Sequence, residues 1–217
     1  MAESHPAALP PAQRTVGQLV AESIRNYGER FWQVLPLGIV LVAVDAASND
    51  HGVNVQTLLL WAFGPLFAAA YVRAATVVRE EPWSWQAFGA ALVVFVPFPL
   101  LMRLWLLPAV VWFGLLGLAV PAAVAERLGA RDALRRGWEL ARADLVHALG
   151  GLVTLALVYA VSRYALLVLI HTQGGQGQEV AAMLADLVLS PLVFVGGVLL
   201  YEDQRARLAA RQAIQSR

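Results

Sequence analysis

The chain has 217 residues, of which 59% are hydrophobic and 14% are charged, and its mean hydropathy is +0.62. Soluble domains carry about 45–50% apolar and about 25% charged residues, so this composition excludes a disordered chain, a nucleic-acid-binding protein and an ordinary water-soluble enzyme. The net charge is +1, every basic residue is arginine and cysteine is absent, which excludes disulfides and thiolate chemistry.

The N-terminal 30 residues divide into a tail and an amphipathic helix. Residues 1–14 contain several prolines and no long apolar run, so they predict a disordered tail and not a signal peptide. Residues 15–30 predict a helix lying in the membrane surface. Thr15 and Gln18 have the spacing of a capping box at its start, and Leu19 and Ile24 belong to its apolar face.

Six apolar stretches then predict an all-α, polytopic membrane helix bundle. A helix needs about 20 mostly apolar residues to cross a bilayer. The third and fourth stretches come from one long run that we expect to break in a tight turn near Arg103. The six predicted transmembrane helices cover approximately residues 31–47, 55–78, 84–102, 104–125, 145–170 and 180–201.

A second amphipathic helix, on the cytoplasmic side, is predicted over residues 129–143. On it, Asp132 and Arg136, and likewise Arg135 and Glu139, are four residues apart and can form ion pairs. The two amphipathic helices either pack under the bundle and set its orientation or form a docking surface for anionic lipid or a protein partner. Residues 15–205 thus form one membrane domain, followed by a cytoplasmic tail over 206–217. The candidate cytoplasmic basic surface consists of Arg131, Arg135, Arg136 and Arg142.

The arginines predict the orientation of the bundle. Cytoplasmic loops collect arginine and lysine, and with six spans 14 of the 16 arginines fall in the segments on one side. Arg103 alone lies on the other side, and Arg163 lies within the fifth span. Both termini are therefore predicted to be cytoplasmic, and a model with five spans would break the alternation.

Two ionisable side chains inside the predicted spans are candidates for a polar site, because burying such groups in a membrane is costly. Arg163 and Asp186 are expected at similar depth on adjacent antiparallel helices, and we predict that they pair. The pair either fixes the helical hairpin or belongs to a polar site facing outward. Asp45 and Arg103 also fall in the outer leaflet and form a candidate cluster that could join this pair.

The sequence offers no catalytic, cofactor-binding or metal-binding set. The four histidines, His5, His51, His147 and His171, do not have metal-ligand spacing, and no nucleophile motif occurs. We therefore expect neither an enzyme nor a bound cofactor.

One run of residues carries a family resemblance. Pro121 ends a predicted span and is followed by Glu126, by the segment 133–140 with the sequence Ala-Leu-Arg-Arg-Gly-Trp-Glu-Leu, and by Leu149-Gly150. The first amphipathic helix begins with Val-Gly-Gln-Leu at 16–19, and the last predicted span ends in Tyr-Glu-Asp-Gln-Arg-Ala-Arg at 201–207, which we call the exit motif. Together these segments resemble the glycerophosphoryl diester phosphodiesterase membrane-domain family and the YciC-like bacterial membrane proteins. The phosphodiesterase domain of full-length relatives and its metal ligands have no counterpart in this sequence, so the resemblance implies no hydrolase activity.

The resulting hypothesis is a multi-pass protein of the bacterial plasma (inner) membrane, acting as a non-catalytic scaffold or interaction subunit in the lipid bilayer. A role in envelope or lipid homeostasis is implied by the resemblance alone. The alternative is a small transporter or channel that uses the outer-leaflet cluster around Arg163 and Asp186. An enzyme of lipid chemistry has the least support, and the sequence does not indicate the oligomeric state.

Overall fold

The computed structural model describes residues 10–48, 51–170 and 175–216, and within these ranges the secondary structure is helical, without strands. Most of the predicted disordered tail, with His5, and also His171 lie outside the described residues. The end of the predicted tail, Pro11–Gln13, forms a short 3-10 helix.

Twelve α-helices follow within the described ranges, with a second 3-10 turn, Leu35–Gly38, between the second and third. Their bounds are α1 (Val16–Glu29), α2 (Phe31–Val34), α3 (Ile39–Ser48), α4 (Val53–Ala62), α5 (Gly64–Arg79), α6 (Trp85–Phe95), α7 (Phe98–Leu104), α8 (Leu106–Leu116), α9 (Ala119–Ala125), α10 (Ala130–Ala143), α11 (Leu145–Ile170) and α12 (Gly175–Gln215).

Several of these helices are long and apolar enough to cross a membrane. Five candidate spans occur within the described residues: Phe31–Ser48, Trp85–Leu104, Leu107–Ala125, Leu145–Ile170 and Gly177–Gln215. The pair formed by α4 and α5 is bent by 49° and makes a sixth span if it is counted as one. The described residues are therefore all-helical and include five or six apolar helices long enough to span a membrane, as predicted, whereas the count of six stays a prediction.

Prolines lie beside two of the breaks in the apolar runs. Pro65 lies in the first turn of α5, directly after the bend from α4, where its missing N–H costs no helical hydrogen bond. The turn predicted near Arg103 lies two residues later, at Trp105, which is extended between α7 and α8. A break at Trp105 places Pro108 in the first turn of α8, where its missing donor costs no helical hydrogen bond.

Helix α12 is the central element of the fold. It continues through Pro191 to Gln215, so the predicted cytoplasmic tail is the last part of this helix in the structure. It packs against α11, α1, α3, α5 and α10. A methyl group added at Gly197 would come within 2.7 Å of the Tyr71 hydroxyl, which shows how closely α5 approaches α12.

Both amphipathic helices pack into the bundle. The buried side of α1 contains Leu19 and Ser23, whereas Ile24, which was expected on the apolar face, is 53% exposed. The capping box predicted for Thr15 and Gln18 is present at the start of α1. Helix α1 packs on α12 and α11, with Leu19 wholly buried. Near the end of α1 the Tyr27 hydroxyl donates to the Val188 carbonyl at 2.7 Å, and partial burial raises the pKa of Tyr27. Helix α10 packs on α9, α6 and α8.

Candidate functional site

Four polar side chains from three apolar helices, α3, α11 and α12, meet in one cluster, which we call the outer cluster: Asp45, Tyr159, Arg163 and Asp186. Arg163 Nε lies 2.8 Å from Asp186 Oδ1, and Arg163 Nη2 lies 2.6 Å from Asp45 Oδ2. The Tyr159 hydroxyl also donates to Asp186. Tyr159 and Arg163 are four residues apart on α11 and so share one face. The pair predicted between Arg163 and Asp186 is in contact.

The two aspartates of the outer cluster differ in exposure. The Asp186 side chain is 1% exposed, whereas those of Arg163 and Asp45 are 29% and 35% exposed. Tyr159 and Arg163 therefore shield Asp186 from the surface. The Asp45–Arg163 ion pair forms the open side of the outer cluster.

That open side is a groove between α3 and α11, which we call the outer groove. Both helices pack on α12, and the described residues show no extensive packing of α3 on α11. The Asp45–Arg163 ion pair crosses the gap and separates two cavities of about 210 and 430 Å³. The smaller is lined by Ser48, Gln56, Glu179, Ala182 and Met183 in addition to the ion pair. The larger is lined by Tyr159, Ala160, Tyr164 and Leu167 together with the ion pair.

Arg103 does not belong to the outer cluster, contrary to the sequence expectation. It is exposed on α7, which packs against α8, α4 and α6, and it makes no ion pair among the described residues. Asp45 instead takes Arg163 as its partner. The sequence places Asp45 and Arg103 at similar depth in the membrane, but the order in which the helices pack decides which charged side chains come into contact.

The candidate cytoplasmic basic surface divides into exposed and inward-facing parts. Arg131, Arg135 and Arg142 are exposed. Arg135 pairs with Glu139 at 3.2 Å, as expected. Arg136 does not pair with Asp132, which corrects that expectation: its Nε lies 3.0 Å from Glu126 in the turn before α10. The reason is that α10 folds back on α9, which brings the inward face of α10 onto Glu126.

A second polar network, which the sequence reasoning missed, surrounds residues 201–207 of α12; we call it the exit network. Asp203 is wholly buried and accepts from Arg14 at 2.7 Å, and the His147 ring nitrogen lies 3.3 Å from its other oxygen. Arg207 donates to Asp144 at 2.7 Å and to the Arg14 carbonyl at 2.7 Å.

The exit network continues around α12 to the other helices. Tyr201 donates to Glu126 at 2.9 Å, and Glu202 forms an ion pair with Arg79 at the end of α5. The buried Gln204 donates to the Asp144 carbonyl at 2.9 Å. The only sequence signal was the exit motif at 201–207, because alternating charges at the end of a span predict pairing without naming the partners.

The described histidine, aspartate and glutamate side chains form no group of three or more that could hold a metal ion. Comparisons with protein-family models, curated proteins and solved structures give no match. The family resemblance of the segment 121–150 therefore stays a prediction.

Proposed function

We propose that this protein is a non-catalytic membrane scaffold or interaction subunit of the bacterial inner membrane, with both termini in the cytoplasm. The observation that carries the proposal is the exit network. Through it, α12 is bound to the segment before α1, to the end of α5, to the turn before α10 and to the start of α11.

The hydrogen bonds and ion pairs of the exit network favour a protein that keeps one conformation, as a scaffold does. Asp203 and Gln204 are buried, and breaking a buried charge pair leaves the remaining charge without compensation, at a cost of roughly 3–5 kcal/mol. A transporter that alternates between two states would have to rearrange several such contacts in every cycle. A scaffold uses the same contacts to hold one face in a fixed shape.

The face offered to a partner is the exposed side of α10. Trp138 is 43% exposed, and the Arg142 guanidinium lies 5.8 Å from the centre of its ring. Arg131 and Arg135 are exposed on the same helix. Aromatic and arginine side chains are enriched at protein interfaces, so this face suits a protein partner or anionic lipid headgroups.

A small transporter or channel is the second candidate, because the outer groove holds charged groups within an apolar region. The 210 Å³ cavity gives access to Asp45 and Arg163. Asp186 lies behind them and lines neither cavity. This candidate requires that a charged solute reach the outer cluster and then cross the packed inner half of the bundle.

Reconstitution separates the two candidates. We expect purified protein in liposomes to pass sodium, potassium and protons no faster than protein-free liposomes. A flux that Asp186→Asn abolishes would contradict the scaffold proposal and favour transport.

Crosslinking in cells gives the positive test. A photo-crosslinking residue at Arg131 should yield a discrete protein adduct, whereas one at Leu107, which is 65% exposed on α8, serves as the matched control. Equal adduct patterns from both sites would argue against a partner on α10.

A further inference from the structure

We propose that the outer groove binds a phospholipid with a primary ammonium headgroup, phosphatidylethanolamine being the simplest example, with the ammonium on Asp45 and Glu179 and one acyl chain along α11. This inference is independent of the scaffold role, because it concerns the opposite end of the bundle from the exit network.

The two cavities of the outer groove differ in chemistry as the two parts of a lipid do. The 210 Å³ cavity is lined by two carboxylates, Asp45 and Glu179, by the amide of Gln56 and the hydroxyl of Ser48, and also by Arg163, Ala182 and Met183. The 430 Å³ cavity is lined beyond the ion pair by Ala160, Leu167 and two tyrosines, all on α11. A polar headgroup fits the first cavity, and a hydrocarbon chain fits the second.

The charge of the groove selects a cationic headgroup. Asp45, Glu179 and Asp186 are acidic, whereas Arg163 is the one basic residue among the described residues of the cluster and its cavities. Arg163 already binds both aspartates through Nε and Nη2. An ammonium group restores the balance, and hydrogen bonds to ionised acceptors are the strong ones.

Two further polar atoms can form hydrogen bonds with the headgroup. Ser48 Oγ is buried and has no hydrogen-bond partner in the described part of the chain. A buried polar group without a partner costs about 1–3 kcal/mol, and Ser48 lines the headgroup cavity. The remaining guanidinium nitrogen of Arg163, Nη1, forms no hydrogen bond with the described residues, so it can donate to a phosphate oxygen.

The groove is placed for entry from the bilayer. Tyr164 is 70% exposed and Ala160 is exposed on α11, a helix that few neighbours cover along its length. A lipid can therefore move sideways between α3 and α11 without passing through the packed core. A water-soluble amine has no hydrocarbon chain to occupy the apolar cavity, so the presence of that cavity favours a lipid.

Native mass spectrometry of the delipidated 217-residue chain tests the inference. Dioleoyl phosphatidylethanolamine, phosphatidylglycerol and phosphatidylcholine are titrated in parallel, with glycerophosphoethanolamine as the headgroup without acyl chains. We expect phosphatidylethanolamine to bind about tenfold more tightly than phosphatidylglycerol, equal to about 1.4 kcal/mol. Phosphatidylcholine should also bind more weakly, because its quaternary ammonium has no N–H to donate.

Two variants test the two cavities separately. Glu179→Gln removes one negative charge beside the ammonium, and Leu167→Trp fills the acyl cavity; each should lower the affinity for phosphatidylethanolamine about tenfold, equal to about 1.4 kcal/mol. The matched controls are Asp132→Asn, an exposed acid on α10, and Leu169→Trp, a position 76% exposed on α11. Both controls should bind lipid as the parent chain does.

Each contrary outcome overturns the inference. Equal affinity for the three lipids would show that the groove does not recognise the primary ammonium group. Tight binding of glycerophosphoethanolamine that Leu167→Trp does not affect would indicate a soluble amine in place of a lipid. Because the altered side chains are outside the buried core, unchanged thermal unfolding of the variants excludes misfolding as the cause of lost binding.

Discussion

At the scale of single residues, burial decides which charged groups matter to stability. The outer cluster contains two aspartates that share Arg163, yet only Asp186 is enclosed. Exposed ion pairs contribute about 0–1 kcal/mol, whereas breaking an enclosed pair costs more, because the remaining charge has no compensation. The two aspartates share Arg163 as a partner and differ in burial and in the hydrogen bond that Asp186 accepts from Tyr159.

We expect Asp186→Asn to lower the free energy of unfolding by about 3 kcal/mol and Asp45→Asn by about 1 kcal/mol or less. Asparagine preserves the shape of each side chain, so the difference reports the charge. Unfolding in mixed detergent micelles, followed by circular dichroism, measures both values. Equal losses for the two variants would show that the enclosure of Asp186 has no energetic consequence.

At the scale of helices, close backbone contact and the exit network hold the bundle together. A methyl group at Gly38, in the turn before α3, would overlap the backbone carbonyl of Leu187 on α12. A methyl group at Gly28, near the end of α1, would meet no atom within 4 Å. Interiors are packed densely enough that such an overlap forces the helices apart.

Gly38→Ala should therefore destabilise the protein by about 1–3 kcal/mol, the usual cost of overpacking. Gly28→Ala should be neutral or stabilising by about 0.5–1 kcal/mol, because alanine is the better helix former. Thermal unfolding in one detergent compares the two directly. A Gly38→Ala protein as stable as its parent would mean that the turn Leu35–Gly38 does not approach the Leu187 backbone of α12 as closely as described.

The exit network makes a second prediction at this scale. Asp203→Asn removes the charge that holds Arg14 to α12, and we expect faster amide hydrogen exchange over residues 14–20, by about tenfold for each 1.4 kcal/mol lost. Glu139→Gln, which affects only the exposed pair with Arg135, is the control and should leave that segment unchanged. Unaltered hydrogen exchange in Asp203→Asn would show that the exit network does not stabilise the start of α1.

At the scale of the whole molecule, the arrangement of charged groups is consistent with one orientation in the membrane. Asp186 and Tyr201 are fifteen residues apart on α12, which corresponds to about 22 Å along a helix. The outer cluster and the exit network thus lie at opposite ends of one continuous element. The end with the exit network carries Arg14, Arg79 and Arg136, as expected of a cytoplasmic face.

The absence of cysteine allows a direct test of orientation, because each introduced cysteine is the only thiol. Asn54→Cys should react with a membrane-impermeant maleimide in intact spheroplasts. Pro82→Cys and Gln212→Cys should react only after permeabilisation. Reaction of Asn54→Cys and Pro82→Cys from the same side would show that the bent pair α4–α5 does not cross the membrane.

The order of amino acids predicted the helical class, the positions of the apolar stretches and the pairing of Arg163 with Asp186. These follow from local geometry: a span has a fixed length, and two helices joined by a short loop bring matching depths together. The packing of the helices was needed to show that Asp45 and not Arg103 joins that pair, that α3 and α11 leave a groove, and that Arg14 contacts Asp203. Those contacts join residues 118 and 189 positions apart, and the order in which helices pack around α12, which no local pattern encodes, brings them together.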